Sequence, residues 1–496
     1  MTEDRSPAVS ENPEGSAEGE EEEKPKSRKN GVYGGVSDEL EASMRSGWAD
    51  TELHGLEPVA QAPYAAERRA RLSAAFPGER LVVPAGNLRT RANDTEYAFR
   101  AASEYVHLTG NQTEDAVLVG EPVEDGHAFA LYLLPRSNRE NGEFWLSGQG
   151  ELWVGRRHSL TESEQLYGLP VRDVRTVAEE LAATTVPTRL VRGYDAGLEA
   201  ALAEQLDAEK DEELKVFLSG LRLVKDEWEI GELRAACDAT VLGFTDVVRE
   251  LDRAVATSER WIEGTFWRRA RVEGNDVGYG SIAAAGPHAT TLHWVRNDGD
   301  VRPGELLLLD AGVETHTLYT ADVTRTLPIN GRFTPLQRKI YQAVYDAQEA
   351  GIAAVKPGNQ YLDFHKAAQR VLAARLLEWG LIDNSVYDLE KVLELGLQRR
   401  WTLHGTGHML GLDVHDCAHA RREDYVDAVL EPGMVLTVEP GLYFQADDLT
   451  VPEEYRGIGV RIEDDILVTA DGHENLSAAL PREADEVEAW MASLTS

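Results

Sequence analysis

Four consecutive leucines, Leu306–Leu309, run straight into a carboxylate at Asp310. A run this apolar belongs inside a sheet, and an ionised carboxylate buried there alone costs several kcal/mol. The same conflict recurs down the chain. Ala321-Asp322 opens Val-Thr-Arg-Thr, Thr437-Val438 ends on Glu439, and Val460-Arg461-Ile462 ends on Glu463. Strands normally keep carboxylates out. Two Asp and two Glu in such runs, with His408 among them, are consistent with one another only around a strong positive charge. Their four negative charges equal those of two divalent cations.

Each feature has a plainer explanation that stands open by itself. Asp310 before Ala-Gly fits a turn acceptor. Arg461 and Glu463 alternate with Val460 and Ile462, which puts both on one face of a strand, where an ion pair would satisfy them. His404 and His408 have the i, i+4 spacing of a helical zinc motif, but Gly405 and Gly407 remove both the general-base glutamate and the helix. The absence of a Gly-x-Ser-x-Gly elbow discounts a serine hydrolase. Cys417 stands beside His415 and His419, yet in a loop between ligand candidates. The conjunction argues for metal: Asp, Asp, His, Glu, Glu in that order.

The rest of the chain frames this region. Its 496 residues exceed one ordinary domain. The reading divides them into an acidic, disordered tail over 1–50, an α/β domain over 51–220 and a second domain over 221–496. Met1 to about Gly34 is rich in Glu, Pro, Ser and Gly, with Glu20–Glu23 ahead of Lys24–Lys29, and has little to bury. Over 51–220, helices at Tyr64–Ala75, Val174–Ala183 and Leu198–Lys210 alternate with strands at Arg80–Val83, Ala116–Val119, His127–Leu134 and Arg189–Arg192. His54, His107, His127 and His158 are scattered and read as surface or satisfied core residues. Leu221–Asp226 reads as the hinge, with Asp226 capping a helix to about Leu251. Helices at Ser258–Val272, Pro335–Val355 and Tyr361–Trp379 follow, with short strands at Gly280–Gly286 and Thr291–Trp294.

A net charge of −37 argues against nucleic acid or an anionic membrane as partner. No run of about 18 apolar residues offers a membrane span, and the N-terminus lacks a signal peptide's layout. Two cysteines, Cys237 and Cys417, give no disulfide framework and fit a reducing cytoplasm, the expected location.

In order, Asp310, Asp322, His408, Glu439 and Glu463 match the ligand series of the pita-bread metalloenzymes. The wording around them resembles bacterial aminopeptidase P in three stretches: His404–Asp416, Glu431–Tyr443 and Tyr455–Ile466. The resemblance runs from about Leu221 to the C-terminus. It is weaker over the N-terminal domain, in Asn93–Tyr97, His107–Gly110 and Trp153–Arg157. One departure stands out: the family sets its two Asp ligands one residue closer than here (322 − 310 = 12). An extra residue in the turn between antiparallel strands keeps Asp322 facing inward, whereas a slip within the strand flips it out.

The resemblance implies an α/β (α+β) chain with a C-terminal pita-bread catalytic domain behind a smaller α/β N-terminal domain. It implies two divalent metal ions, manganese first, with zinc or cobalt as alternatives. Asp310 would bind one ion, His408 and Glu439 the other, and Asp322 and Glu463 both. Glu439 would also shuttle a proton and His293 would face the developing oxyanion. His404 and His415 would stand on the substrate side, His404 beside a proline pocket. Arg461 would orient Glu463, with Tyr443 supporting the same side. The implied reaction is hydrolysis of the bond between an N-terminal residue and a penultimate proline in peptides, by a homo-oligomer (dimer or tetramer). A prolidase and a catalytically silent pita-bread binding protein compete with this reading, and the complete ligand set argues against the second.

Overall fold

The computed structural model describes residues 36–495, and the stretch expected to be disordered, Met1 to about Gly34, lies outside them. Two compact units emerge. One comprises the described residues up to His54 together with Pro135–Glu162; the other comprises Gly55–Leu134 and the chain from Ser163 onward.

The first unit carries the short helices Asp38–Met44, Glu143–Leu146 and Glu151–Val154. Part of the expected tail is therefore helical. Ser37 caps Asp38–Met44 by accepting from Leu40 N at 3.2 Å, and three acids occupy the first turn, where the helix dipole favours them. Trp48 meets Phe144 edge-on at 5.2 Å, with the Arg139 guanidinium 4.6 Å from both rings. Fully buried Glu162 accepts from the backbone of Leu53 and Ser159 and pairs with Arg156, tying the two segments together.

The second unit opens with a five-stranded sheet in the order Val171–Asp173, Gly126–Leu133, Val117–Val123, Arg80–Pro84, Thr188–Leu190. Its central pairs are antiparallel and both edge strands join in parallel. Val82, Val119 and Leu190 pack on Leu181, Leu198 and Leu202. The single helix expected over Leu198–Lys210 is two. Ala196–Ala201 ends early, and the Asp207 carboxylate accepts from Glu209 N and Lys210 N to start Ala208–Leu221. The helix so begun runs through Leu221, which shortens the expected hinge to Arg222–Asp226. There Asp226 and Glu229 form a reciprocal capping box at the start of Glu227–Arg249.

Helices Glu227–Arg249, Glu259–Glu273, Pro335–Ala354 and Asp363–Glu378 then pack around small antiparallel sheets. Ile282–Ala285, Leu306–Ala311 and Val323–Pro328 form one sheet. Val435–Val438, Asp464–Thr469 and Gly472–Asn475 form a second, and Gly441–Phe444 with Ile458–Arg461 a third. Leu307 and Leu309 enter the large core with Phe244, Ile340 and Leu372, whereas Leu308 packs with Ile282, Ala284 and Tyr443 on the other face. Each such leucine contributes about 1.5–3 kcal/mol by burial. Alternation along the strand therefore sets Asp310 on the face of Leu308, away from the large core. Among the described residues no helix is long and apolar enough to cross a membrane.

Candidate metal centre

The Leu306–Ala311 strand pairs with Val323–Pro328 in an unbroken register, from Leu306 opposite Pro328 to Ala311 opposite Val323. The additional residue between the two aspartates is thus absorbed in the connection, where Leu318 takes a φ of +71° and Thr315 N donates to Tyr319 O at 2.8 Å. Gly312 permits the close approach, since a Cβ there would strike Ala321 O. Asp322 comes up beside Asp310 as a result. The Tyr279 hydroxyl spans them, 2.7 Å from Asp310 Oδ1 and 2.5 Å from Asp322 Oδ1.

Glu439 directly follows Val435–Val438. Its N–H donates to Thr406 O at 2.8 Å, and Thr437 N donates to His408 O at 2.9 Å, which fixes the His404–His408 loop to the strand end. His408 Nε2 lies 3.3 Å from Asp322 Oδ2 and 3.7 Å from Glu439 Oε1. Its Nδ1 lies 3.1 Å from Met409 O, so Nδ1 donates there and Nε2 faces the carboxylates. Glu463 N donates to Thr324 O at 3.1 Å, and Thr324 Oγ1 donates to Glu463 Oε2 at 2.6 Å. Ligand atoms of Asp322, His408 and Glu463 all lie within 4.8 Å of one another.

Electrostatics mark this cluster as short of positive charge. Burial pushes the Glu463 carboxyl well above its ordinary value, and Asp322, Glu439 and Asp310 add to the effect. Glu439 is pushed up to about 7, by burial against the pull of His408 and Arg461. Burial also raises Asp310, despite Arg461. Asp322 moves the other way: burial opposes it, but the His408 imidazolium at its side holds it low. His408 is raised to about 9, because Asp322 and Glu439 outweigh its burial. Protein cations do not suffice here. Four carboxylates and one imidazole with its Nε2 turned inward fit oxygen-loving divalent ions.

Of the remaining sequence candidates, His293, His404, His415 and Arg461 line the same cavity of about 610 Å3 as the five ligand candidates. Tyr443 stands behind it, its hydroxyl 2.8 Å from His404 Nε2 and 3.1 Å from Arg461 Nη1. His404 is lowered to about 3 by burial and by Arg461, so it is neutral. His415 packs edge-on to His408 at 4.3 Å. Arg461 is not the direct partner of Glu463 that strand alternation suggested. Its strand ends at Arg461, the chain turns, and Nη2 donates to Asp310 Oδ2 at 2.5 Å while Nε reaches Thr324 Oγ1 at 3.2 Å. Residues 291–294 form a turn after the tight helical turn Gly286–Thr290, not the expected strand. Cys417 is buried, with its thiol pushed up by burial, unlike a nucleophile.

Sequence reasoning missed Tyr279, Thr324 and Glu259. Glu259 is fully buried and gathers the segment that carries His293. It accepts from Ala285 N (2.8 Å), Gly299 N (2.7 Å) and Trp294 Nε1 (2.8 Å), and its Oε1 lies 2.8 Å from His288 Nδ1. The one available signal was its place beside Ser258 at a helix start, which reads equally well as an exposed acid.

Comparison with known proteins gives a coherent picture. A model of metallopeptidase family M24 matches residues 231–470, and one of the aminopeptidase P N-terminal domain matches residues 65–189. Xaa-Pro aminopeptidase 1 of Streptomyces coelicolor is 74% identical over 488 residues, covering 98% of both chains. The Xaa-Pro aminopeptidase of Escherichia coli is 32% identical over 452 residues, covering 88% of this chain and 99% of its own. Among solved structures, zinc-substituted E. coli aminopeptidase P in complex with product superposes with a TM-score of 0.79 at 29% identity, covering 89% of this chain and 100% of the other. The Pseudomonas aeruginosa aminopeptidase gives 0.77 at 29%, covering 88% and 99%.

Proposed function

The chain belongs to metallopeptidase family M24, with a pita-bread domain behind an aminopeptidase P N-terminal domain, and from that premise we propose that it hydrolyses the bond between an N-terminal residue and a penultimate proline. The observation that carries this reading is the convergence of Asp310, Asp322, His408, Glu439 and Glu463 on one cavity. Those five would hold two divalent ions: Asp310 one, His408 and Glu439 the other, Asp322 and Glu463 both. Manganese is the proposed metal, because oxygen donors outnumber the single imidazole. When bound, the ions supply Lewis acidity, acidifying water and polarising the scissile carbonyl.

The protein's own groups do the rest in this proposal. Glu439 takes a proton from the attacking water and hands it to the departing proline nitrogen. An Xaa-Pro bond has no N–H and a locked ring, so the leaving nitrogen needs that proton and the ring needs an apolar seat. Neutral His404, held by Tyr443, offers such a face. His293 donates to the oxyanion and His415 lines the substrate side. Arg461 fixes Asp310 and Tyr443 together.

Residues 51–220 are proposed as the N-terminal domain and 221–496 as the catalytic domain, which contain the two matched stretches. A cytoplasmic location is in keeping with two free, buried cysteines. A dimer or tetramer is in keeping with exposed Leu152, Trp153 and Val154, an apolar run that association would cover. The test is turnover by metal-reconstituted protein of Xaa-Pro-Yaa, its N-acetylated copy and Xaa-Pro. Release of the first residue from Xaa-Pro-Yaa alone or in preference is expected. Cleavage confined to the dipeptide identifies a prolidase, and no cleavage of any identifies a binding protein.

A further inference from the structure

His404 and Gly405 line two cavities at once: the metal pocket and a second one of about 800 Å3. The helix Asp363–Glu378 supplies His365, Lys366 and Arg370 to this second cavity, and the turn Leu397–Arg400 supplies Arg399. Leu395 and Leu403 add exposed apolar surface. Three of the lining groups are cationic, and Glu394 is the one carboxylate. Most of these charges are matched inside the molecule. Lys366 lies 3.2 Å from Asp363, Arg370 2.5 Å from Glu390, and Glu394 3.0 Å from Lys391. Arg399 is the exception: among the described residues its guanidinium has no hydrogen bond or ion pair. It stands near enough to His365 to help burial lower that imidazole's pKa. The chain has 87 acidic and 50 basic residues, and Arg399 nevertheless stands beside the catalytic cavity without an acidic partner among the described residues.

We infer that this second cavity is a downstream subsite, which receives the peptide beyond its proline and selects carboxylates there through Arg399. The inference rests on the reading above, in which the proline lies against His404. A peptide seated there and continuing past the shared His404–Gly405 wall, at about 3.3 Å per extended residue, would bring the residues after its proline to the cavity. A carboxylate at those positions would meet a planar guanidinium able to bind it in two-pronged fashion. The carboxylate can come from an Asp or Glu side chain or from the free C-terminus of a short peptide.

The experiment uses the manganese-loaded full chain and C-terminally amidated peptides Ala-Pro-Ala-Yaa-Ala, with Yaa Glu, Gln or Lys, plus the free acid of the Gln peptide. The readout is the ratio of kcat/KM values within each enzyme, so a general loss of activity cancels. Wild type should prefer Glu over Lys by about tenfold at low ionic strength, shrinking with added salt. R399Q should bring the ratio near one, R399E should invert it, and R399K, which keeps the charge but not the planar fork, should retain only part of it. A gain of the free acid over the amide of the Gln peptide, with no Glu preference among amides, assigns the site to the C-terminus and supports the inference equally. Equal turnover of all peptides by wild type, or a ratio unchanged in R399Q, overturns it while leaving the aminopeptidase reading intact. Failure to cleave any of the peptides overturns both.

Discussion

Asp416 and Glu463 are each about 1% exposed, yet their carboxyls are driven in opposite directions. Burial works against both charges. Around Asp416 it is overcome: Lys225 Nζ lies 3.1 Å away, Arg222 Nε 2.9 Å away, and Cys417 N donates at 2.9 Å, so the group is held below the ordinary aspartate value. Around Glu463 it wins, because Asp322, Glu439 and Asp310 add to burial more than Arg461 relieves it, and among the described residues its side-chain hydrogen-bond donor is the Thr324 hydroxyl. In the first cluster the charge of Asp416 is answered by the chain's own side chains, and the pairs lock the hinge to the His415 loop. The second is incomplete without outside cations. A buried carboxylate thus reports structure or function according to whether its charge is already answered.

The sharpest way to break this contrast is to remove one ligand. Glu463→Ala or His408→Ala should drop turnover below detection and bring bound metal under two ions per chain, with the far-ultraviolet circular dichroism unchanged. Retained activity in either variant would mean that the two clusters do not differ in kind. Disturbing the Asp416 cluster should instead cost stability. Lys225→Met leaves Asp416 short of a partner, and thermal or urea unfolding should show a loss of about 3–5 kcal/mol. Adding Asp416→Asn to it should recover part of that loss, because the two effects are not additive.

A smaller change separates the roles within the metal pocket. Arg461→Ala should lower kcat/KM by about 10- to 100-fold through misplaced Asp310, while melting stays near wild type once metal is bound. The pH response should differ in sign between the clusters. A carboxyl lowered in the folded state contributes stability above its unfolded pKa and loses it as pH falls, so Asp416 steepens the acid limb. Glu439 is raised from 4.5 to about 7, so the folded chain holds an extra proton over that window and metal-free stability declines as pH rises through it. Glu439→Gln should flatten the melting temperature of chelated protein between pH 4.5 and 7.

What the sequence made legible follows the same logic. Asp310, Asp322, Glu439 and Glu463 stood out because a carboxylate in an apolar run contradicts its surroundings. Tyr279 did not, since a tyrosine between glycines contradicts nothing, and Thr324 passed as an ordinary strand residue. Glu259 looked like any acid at a helix start, although it is fully enclosed by the His293 segment. Arg461 was tied to Glu463 by alternation, a rule that holds only while the strand continues, and this one stops at Arg461. The helix expected across Leu198–Lys210 had suitable Ala, Leu and Glu residues throughout. One capping aspartate, Asp207, was enough to divide it. Conflicts of charge with burial travel well through sequence, whereas contacts brought together by tertiary turns do not.

The claim that the pocket is built to be completed by two cations is tested most directly by metal titration. Protein stripped with a chelator and dialysed should be inactive on Xaa-Pro-Yaa. Manganese added back should restore turnover with saturation at two ions per chain by calorimetry and elemental analysis, and should raise the melting temperature in step. Full turnover in excess chelator, with less than about a tenth of an ion bound per chain, would contradict the account at its centre.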